Sequence, residues 1–297
     1  MKAKWITPAV TALDEQGHID VEANLRIYDY LINGGIDGIL IFGSIGEFFA
    51  LPMEEKKEMV TRAIGHIAGR VTVYIGTNSM DFEECVEFSN FALKAGADGV
   101  MVISPYYFNL PEASIENFYD SLASRVNGPV LLYNFPDRTG YDLKPETVLN
   151  LVRRNKNIVG IKDTVGTMGH TRALIQTVKK EFPDFLIYSG FDEFFAHNIL
   201  SGGDGCIAGL SNFTPETAAG FAKAVKSNDL PAISAYQHKI DELMSIYDVA
   251  GQFIPVIKKA MVLCGVDMTP ICAAPLLPAT DKETEKIKEI LKKAEII

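Results

Sequence analysis

Short unbroken apolar runs alternate along the chain with longer segments whose apolar positions recur every three or four residues. The runs predict strands at Ile6–Thr11, Gly38–Gly43, Val71–Gly76, Gly99–Ser104, Val130–Phe135, Val159–Lys162, Phe185–Ser189 and Cys206–Leu210. They are rich in Val and Ile, as strands buried on both faces of a parallel sheet are. The intervening segments predict amphipathic helices. Glu54–Ala68 sets Met59, Ala63, Ile64 and Ile67 on one face, and Phe82–Ala95 does the same with Val86, Phe91, Ala92 and Leu93. Asp20, Asp81 and Ser114 are expected N-caps, and Pro215 follows Thr214 as a first helical residue. Gly34-Gly35 and Gly202-Gly203 read as helix stops.

Strands that alternate evenly with helices over residues 6–210 predict a (β/α)8 TIM barrel. A doubly wound open sheet is the rival, because alternation alone fits both. The barrel is expected to occupy 1–228. The helical segments Ala232–Val249, Val256–Cys264 and Lys282–Ala294 then form an extension over 229–297 packed on it, since no Gly/Ser- or Pro-rich linker precedes them.

Composition narrows the partners. The 297-residue chain is 47% hydrophobic, with a formal net charge of -10 and no basic block, which argues against nucleic acid or an anionic membrane. A small anionic substrate stays open, because a nest of amides and one arginine can hold it. Cys85, Cys206, Cys264 and Cys272 show no CxxC or zinc spacing, which predicts reduced thiols in a cytoplasmic protein. Met1-Lys2-Ala3-Lys4-Trp5 lacks a signal-peptide core, and no apolar run is long enough for a bilayer. His66, His170, His197 and His238 have no HxH or HxxxH spacing, so neither metal nor other cofactor is expected.

In such a barrel the chemistry lies at the C-terminal ends of the strands. Those ends carry Thr7 and Thr11, Gly43-Ser44-Ile45-Gly46-Glu47, Thr77, Tyr106-Tyr107, Tyr133, Lys162, Ser189-Gly190 and Ile207. A lysine at the end of a buried strand can hold its amine in a dry site, where desolvation favours the neutral nucleophile. Tyr133 on another strand could pass protons to and from that amine. The pair points to covalent carbonyl chemistry through a Schiff base. The glycines of Gly43–Glu47 allow a tight turn whose amides can cradle a carboxylate, with the Ser44 hydroxyl as a further donor. Arg138 can clamp a second carboxylate. Each residue also has a plain structural reading: a solvated lysine, a core tyrosine, an ordinary loop, an arginine paired with Asp137 or Asp142. Tyr106 and Tyr107 fit packing or an interface equally well.

At these residues the chain resembles the dihydrodipicolinate synthase/N-acetylneuraminate lyase family over essentially its whole length. The shared motifs are Gly43-Ser44-Ile45-Gly46-Glu47, Tyr133-Asn134-Phe135-Pro136 and Gly160-Ile161-Lys162-Asp163-Thr164. The resemblance implies a pyruvate Schiff base on Lys162 and proton transfer by Tyr133. It implies that Ser44, with the Ser44 and Ile45 amides, holds the α-keto carboxylate, and that Gly190 and Ile207 line the substrate site. Tyr107 would complete a relay from a neighbouring subunit, within a homotetramer built as a dimer of dimers.

Ile45 departs from the synthases, which usually have a second threonine there. Asn134-Phe135-Pro136, Gly160–Thr164 and Val262-Leu263-Cys264-Gly265 look more like the 2-keto-3-deoxy sugar acid aldolase branch. Phe48, Phe49 and Met53 argue against a lysine feedback site. The expected function is therefore a class I carbon–carbon lyase that releases pyruvate and an aldehyde from a 2-keto-3-deoxy sugar acid. Arg138 keeps dihydrodipicolinate synthesis, from pyruvate and aspartate semialdehyde, as the alternative. A non-catalytic α-keto acid sensor rests on Ile45 alone, and a phosphate-binding barrel has only Ser189-Gly190 and Gly202-Gly203 in its favour.

Overall fold

A computed structural model describes residues 3–297. All eight expected strands form: β1 Lys4–Pro8, β2 Gly38–Ile41, β3 Thr72–Gly76, β4 Gly99–Ile103, β5 Val130–Asn134, β6 Ile158–Asp163, β7 Leu186–Ser189 and β8 Gly205–Ile207. The helices are α1 Val21–Asn33, α2 Met53–Ile67, α3 Phe82–Ala95, α4 Glu112–Arg125, α5 Pro136–Thr139 and α6 Pro145–Arg154. They continue as α7 Met168–Val178, α8 Phe195–Leu200, α9 Pro215–Ser227, α10 Leu230–Met244, α11 Phe253–Leu263 and α12 Asp281–Lys293. The strands follow one another from β1 to β8 in a closed barrel with helices between them, which makes the chain a (β/α)8 barrel.

Local chemistry sets the element ends. Asp20 and Asp81 cap α1 and α3 as expected, accepting from Ala23 N–H and from Glu83 and Glu84 N–H. Ser114 does not cap: α4 has already begun at Glu112 behind Pro111, whose extended backbone starts the helix without a side-chain cap. The first strand stops at Pro8 rather than Thr11. Beyond it, Val10 N–H donates to the Asn212 side chain at 3.1 Å, and the Thr11 hydroxyl donates to Gly46 O at 2.7 Å. Side chains thus take over the bonds that a longer ladder would have made.

Residues 3–73 with 208–297 form one compact unit, and 74–207 form the other. In the first, β1 and β2 pair in parallel, with Thr7 opposite Ile39. Trp5 is fully buried, its ring 6.2 Å from that of Phe221 on α9, which in turn stacks on Tyr236 of α10 at 6.0 Å. Helices α10, α11 and α12 belong to this same unit, with Ile257, Met261, Ile287 and Leu291 wholly out of water. In the second, parallel pairing runs from β3 to β8, and Val100, Val102, Leu131, Leu132, Ile161 and Ile187 are completely buried. Both faces of these strands are covered, which is why their sequences are unbroken apolar runs and not alternations. Among the described residues, no helix is long and apolar enough to cross a membrane.

Candidate active site

Strand register brings the two leading candidates together. β5 and β6 pair with Tyr133 opposite Lys162 and Asn134 opposite Asp163, and β7 adds Tyr188 beside Lys162. Opposed residues on neighbouring strands share a face, and consecutive residues take opposite faces. Tyr133, Lys162 and Tyr188 therefore line one face of the sheet, and Asn134 and Asp163 the other. Tyr133 is 2% exposed and Lys162 5%. The Lys162 amine lies 3.5 Å from the Tyr133 hydroxyl and 4.5 Å from the centre of its ring. A buried amine beside a phenol, with a ring face beneath it, can attack a carbonyl while a proton carrier stands within reach.

The stack continues outward. Tyr133 lies over Phe135 at 5.9 Å, and the Arg138 guanidinium stands 5.4 Å above the Phe135 ring. Arg138 is exposed on the short helix α5, so its fork stays open to water two rings away from the amine. Tyr107 is not part of this buried group. It is 85% exposed, edge-on to Phe108 at 4.8 Å, and its backbone takes φ +91°. Ile207 is fully buried at the end of β8.

Two further residues meet beside this pair: Thr164, and Gly190, which the resemblance expects to line the substrate site. Thr164 follows Lys162 by two positions, is buried, and its hydroxyl has no hydrogen-bond partner. A buried hydroxyl without a partner costs about 1–3 kcal/mol, so Thr164 has capacity for one further hydrogen bond. Gly190 explains how it fits: a Cβ there would lie 1.9 Å from Thr164 Oγ1 and 2.8 Å from Thr164 Cα. Gly190→Ala should therefore push the 162–164 backbone and lower stability by about 1–3 kcal/mol, read as a lower urea midpoint. An unchanged midpoint would show that the crowding is relieved without cost.

In the other unit, Gly43–Glu47 makes a compact turn closed by Gly46 N–H to Gly43 O at 3.0 Å and Glu47 N–H to Ser44 O at 3.2 Å. Ser44 is partly exposed and Ile45 is buried. The left-handed conformations fall on Phe42 (φ 59°) and Glu47 (φ 56°), not on the two glycines. Gly46 is needed for close approach instead, since a Cβ there would sit 3.0 Å from Ala9 O. Glu47, wholly buried, forms an ion pair with the equally buried Lys258 of α11 and accepts from Ala273 N–H at 2.6 Å. In the sequence Glu47 stands only as the last residue of the Gly43–Glu47 turn, with nothing to indicate a buried counter-ion.

The cysteines carry no disulfide. Burial pushes the thiols of Cys264 and Cys272 up to about 11 and that of Cys85 to about 12, which leaves them protonated and unreactive near neutrality.

Comparison with known proteins fits this arrangement. Residues 1–294 match the Dihydrodipicolinate synthetase family, and the chain belongs to it: it is a lyase of that family. Among its relatives, the probable 2-dehydro-3-deoxy-D-pentonate aldolase YjhH of Escherichia coli K12 is 36% identical over 286 residues, 96% of this chain and 95% of that one. The 4-hydroxy-tetrahydrodipicolinate synthase of Kosmotoga olearia is 34% identical over 276 residues, 93% of this chain and 92% of that one. The crystal structure of YagE from E. coli K12, in complex with pyruvate, superposes with a TM-score of 0.96 at 36% identity and covers 99% of both chains.

Proposed function

We propose that the protein is a class I aldolase that cleaves a 2-keto-3-deoxy sugar acid to pyruvate and an aldehyde through a Schiff base on Lys162. The observation that carries this reading is the buried Lys162 amine 3.5 Å from the Tyr133 hydroxyl on the adjoining strand. The amine adds to the C2 ketone and expels water, giving an iminium that serves as an electron sink. Tyr133, having given its own proton to the departing water, takes one from the C4 hydroxyl as the C3–C4 bond breaks. The bonding pair moves into the iminium, the aldehyde departs, and an enamine remains. A proton returned to C3 and a water added at C2 then release pyruvate and restore the amine.

Ser44 and the Ser44 and Ile45 amides are assigned to the α-keto carboxylate, and Thr164 to a substrate hydroxyl that satisfies its own. Tyr107, exposed and conformationally strained, is assigned to the relay of a neighbouring subunit in a homotetramer. The name of YjhH, a probable 2-dehydro-3-deoxy-D-pentonate aldolase, supports a sugar acid as substrate. Arg138 supports the second reading, condensation of pyruvate with aspartate semialdehyde, because its exposed guanidinium suits a second carboxylate.

Pyruvate with borohydride should leave one reduced adduct on Lys162, identified by peptide mass. An unlabelled Lys162 would overturn the mechanism. The substrate is decided by comparing condensation of pyruvate with glyceraldehyde, glycolaldehyde and aspartate semialdehyde. Turnover with the semialdehyde alone would favour the second reading.

A further inference from the structure

On the face of β5 and β6 turned away from Tyr133 and Lys162, a closed polar cluster joins the two strand ends. The Asp163 carboxylate is buried and accepts from Asn134 Nδ2 at 2.8 Å, Thr171 Oγ1 at 2.6 Å and His170 Nδ1 at 3.0 Å. Asn134 also donates to Asp142 at 2.6 Å and accepts from Leu143 N–H at 3.0 Å. The other imidazole nitrogen, Nε2, faces Leu143 O at 3.1 Å and an Asp142 carboxylate oxygen at 3.3 Å.

Both ring nitrogens of His170 thus meet acceptors alone. A neutral imidazole has one N–H and would turn a lone pair toward an oxygen, whereas the imidazolium satisfies every contact. Asp163 from β6 and Asp142 from the segment after α5 are the charged groups that face the ring. Burial works against the charge, but the hydrogen bond to Asp163 and the two carboxylates outweigh it and raise the imidazole above its usual 6.5.

We infer that His170 is a positioning residue: as an imidazolium it clamps the Asn134 and Asp163 ends of β5 and β6, and so holds Tyr133 and Lys162 in reacting register. Each clamped residue is the immediate neighbour of a reacting one, so a slip at Asp163 moves Lys162 directly. The inference rests on the Schiff-base reading. Its sign follows from the charge: the clamp is complete at low pH and loosens as pH rises through the ring's elevated pKa.

The test follows the rate of cyanoborohydride-trapped pyruvate on Lys162, over a range of pyruvate concentrations and across pH, in wild type and His170→Asn. Asparagine keeps a donor for Asp163 but can neither carry the charge nor reach Leu143 O. At pH 6 the wild type should react about tenfold faster, with little change in KM. That ratio should shrink toward one at high pH. In the wild-type protein, the His170 ring signal and the exchange protection of the Lys162 amide should change with one midpoint above 6.5. A merely structural role predicts a ratio independent of pH. A wild-type protein that forms no adduct overturns the Schiff-base reading and the clamp's catalytic role with it. An adduct formed at a pH-independent ratio, or Lys162 protection indifferent to the ring's titration, overturns the clamp alone.

Discussion

Lys162→Ala is expected to lower turnover by roughly 10⁴-fold or more, the usual consequence of deleting a covalent nucleophile. Among the described residues, the neighbours that β5 and β7 place across from Lys162 are tyrosines, which form no imine, and the thiols of Cys85, Cys264 and Cys272 are held protonated. The fold should survive, because the variant loses one amine contact at 3.5 Å and one buried methylene stem but leaves no buried charge unpaired. Tyr133→Phe separates the two roles. It keeps the ring beneath the amine and removes the hydroxyl, so trapping of pyruvate should persist while cleavage slows about 10²–10⁴-fold. If Lys162→Ala retained turnover, or if Tyr133→Phe lost trapping and cleavage in equal measure, the division of labour would be wrong.

The strands were legible because burial on both faces writes itself as an unbroken apolar run, and each of the eight runs became a strand. Their ends were less so. Thr11 looked like a strand terminus because the run Ala9-Val10 continues past Pro8, yet the Asn212 side chain, folded back from after β8, intercepts the Val10 amide. No local pattern could announce a partner so distant in sequence. The same limit governs the site. Lys162 and Tyr133 stand out as candidates because each closes a run, and the register makes them neighbours. His170 was considered only as a metal ligand and set aside. Its partners lie on β6 and in the loop before α6, and its spacing from Asp163 crosses the start of a helix, where no periodicity holds. Gly190 is expected at the site from the sequence, but its close approach to Thr164 is a fact of three dimensions alone. Glu47 was read as a loop residue because its counter-ion arrives from α11.

That counter-ion defines the second large effect. Glu47 and Lys258 are both fully buried, and their remaining polar atoms are served by Ala273 N–H and Ile271 O at 2.6 Å each. Lys258→Met leaves a carboxylate in the core with one amide donor, and should cost about 3–5 kcal/mol in urea unfolding. Glu47→Gln should cost a similar amount, since its single amide oxygen can accept from Ala273 N–H or from Lys258 but not both, and Lys258 is left a buried cation with Ile271 O as acceptor. The double variant Glu47→Gln/Lys258→Met should be more stable than the sum of the two losses predicts, by about 1–3 kcal/mol, because no unpaired charge is left inside. Additive losses would mean that the two side chains act independently. The pair also has a functional consequence within its own unit. Glu47 holds an αL backbone (φ 56°) that a non-glycine residue adopts at a cost of about 1–2 kcal/mol, and its side chain anchors that conformation to α11 and the 271–273 segment. With the anchor gone the turn can relax and swing the Ser44 and Ile45 amides away from their assigned carboxylate. Lys258→Met should then raise KM for pyruvate more than it lowers kcat, whereas His170→Asn does the reverse, so two charge clusters, one in each unit, separate as binding and chemistry.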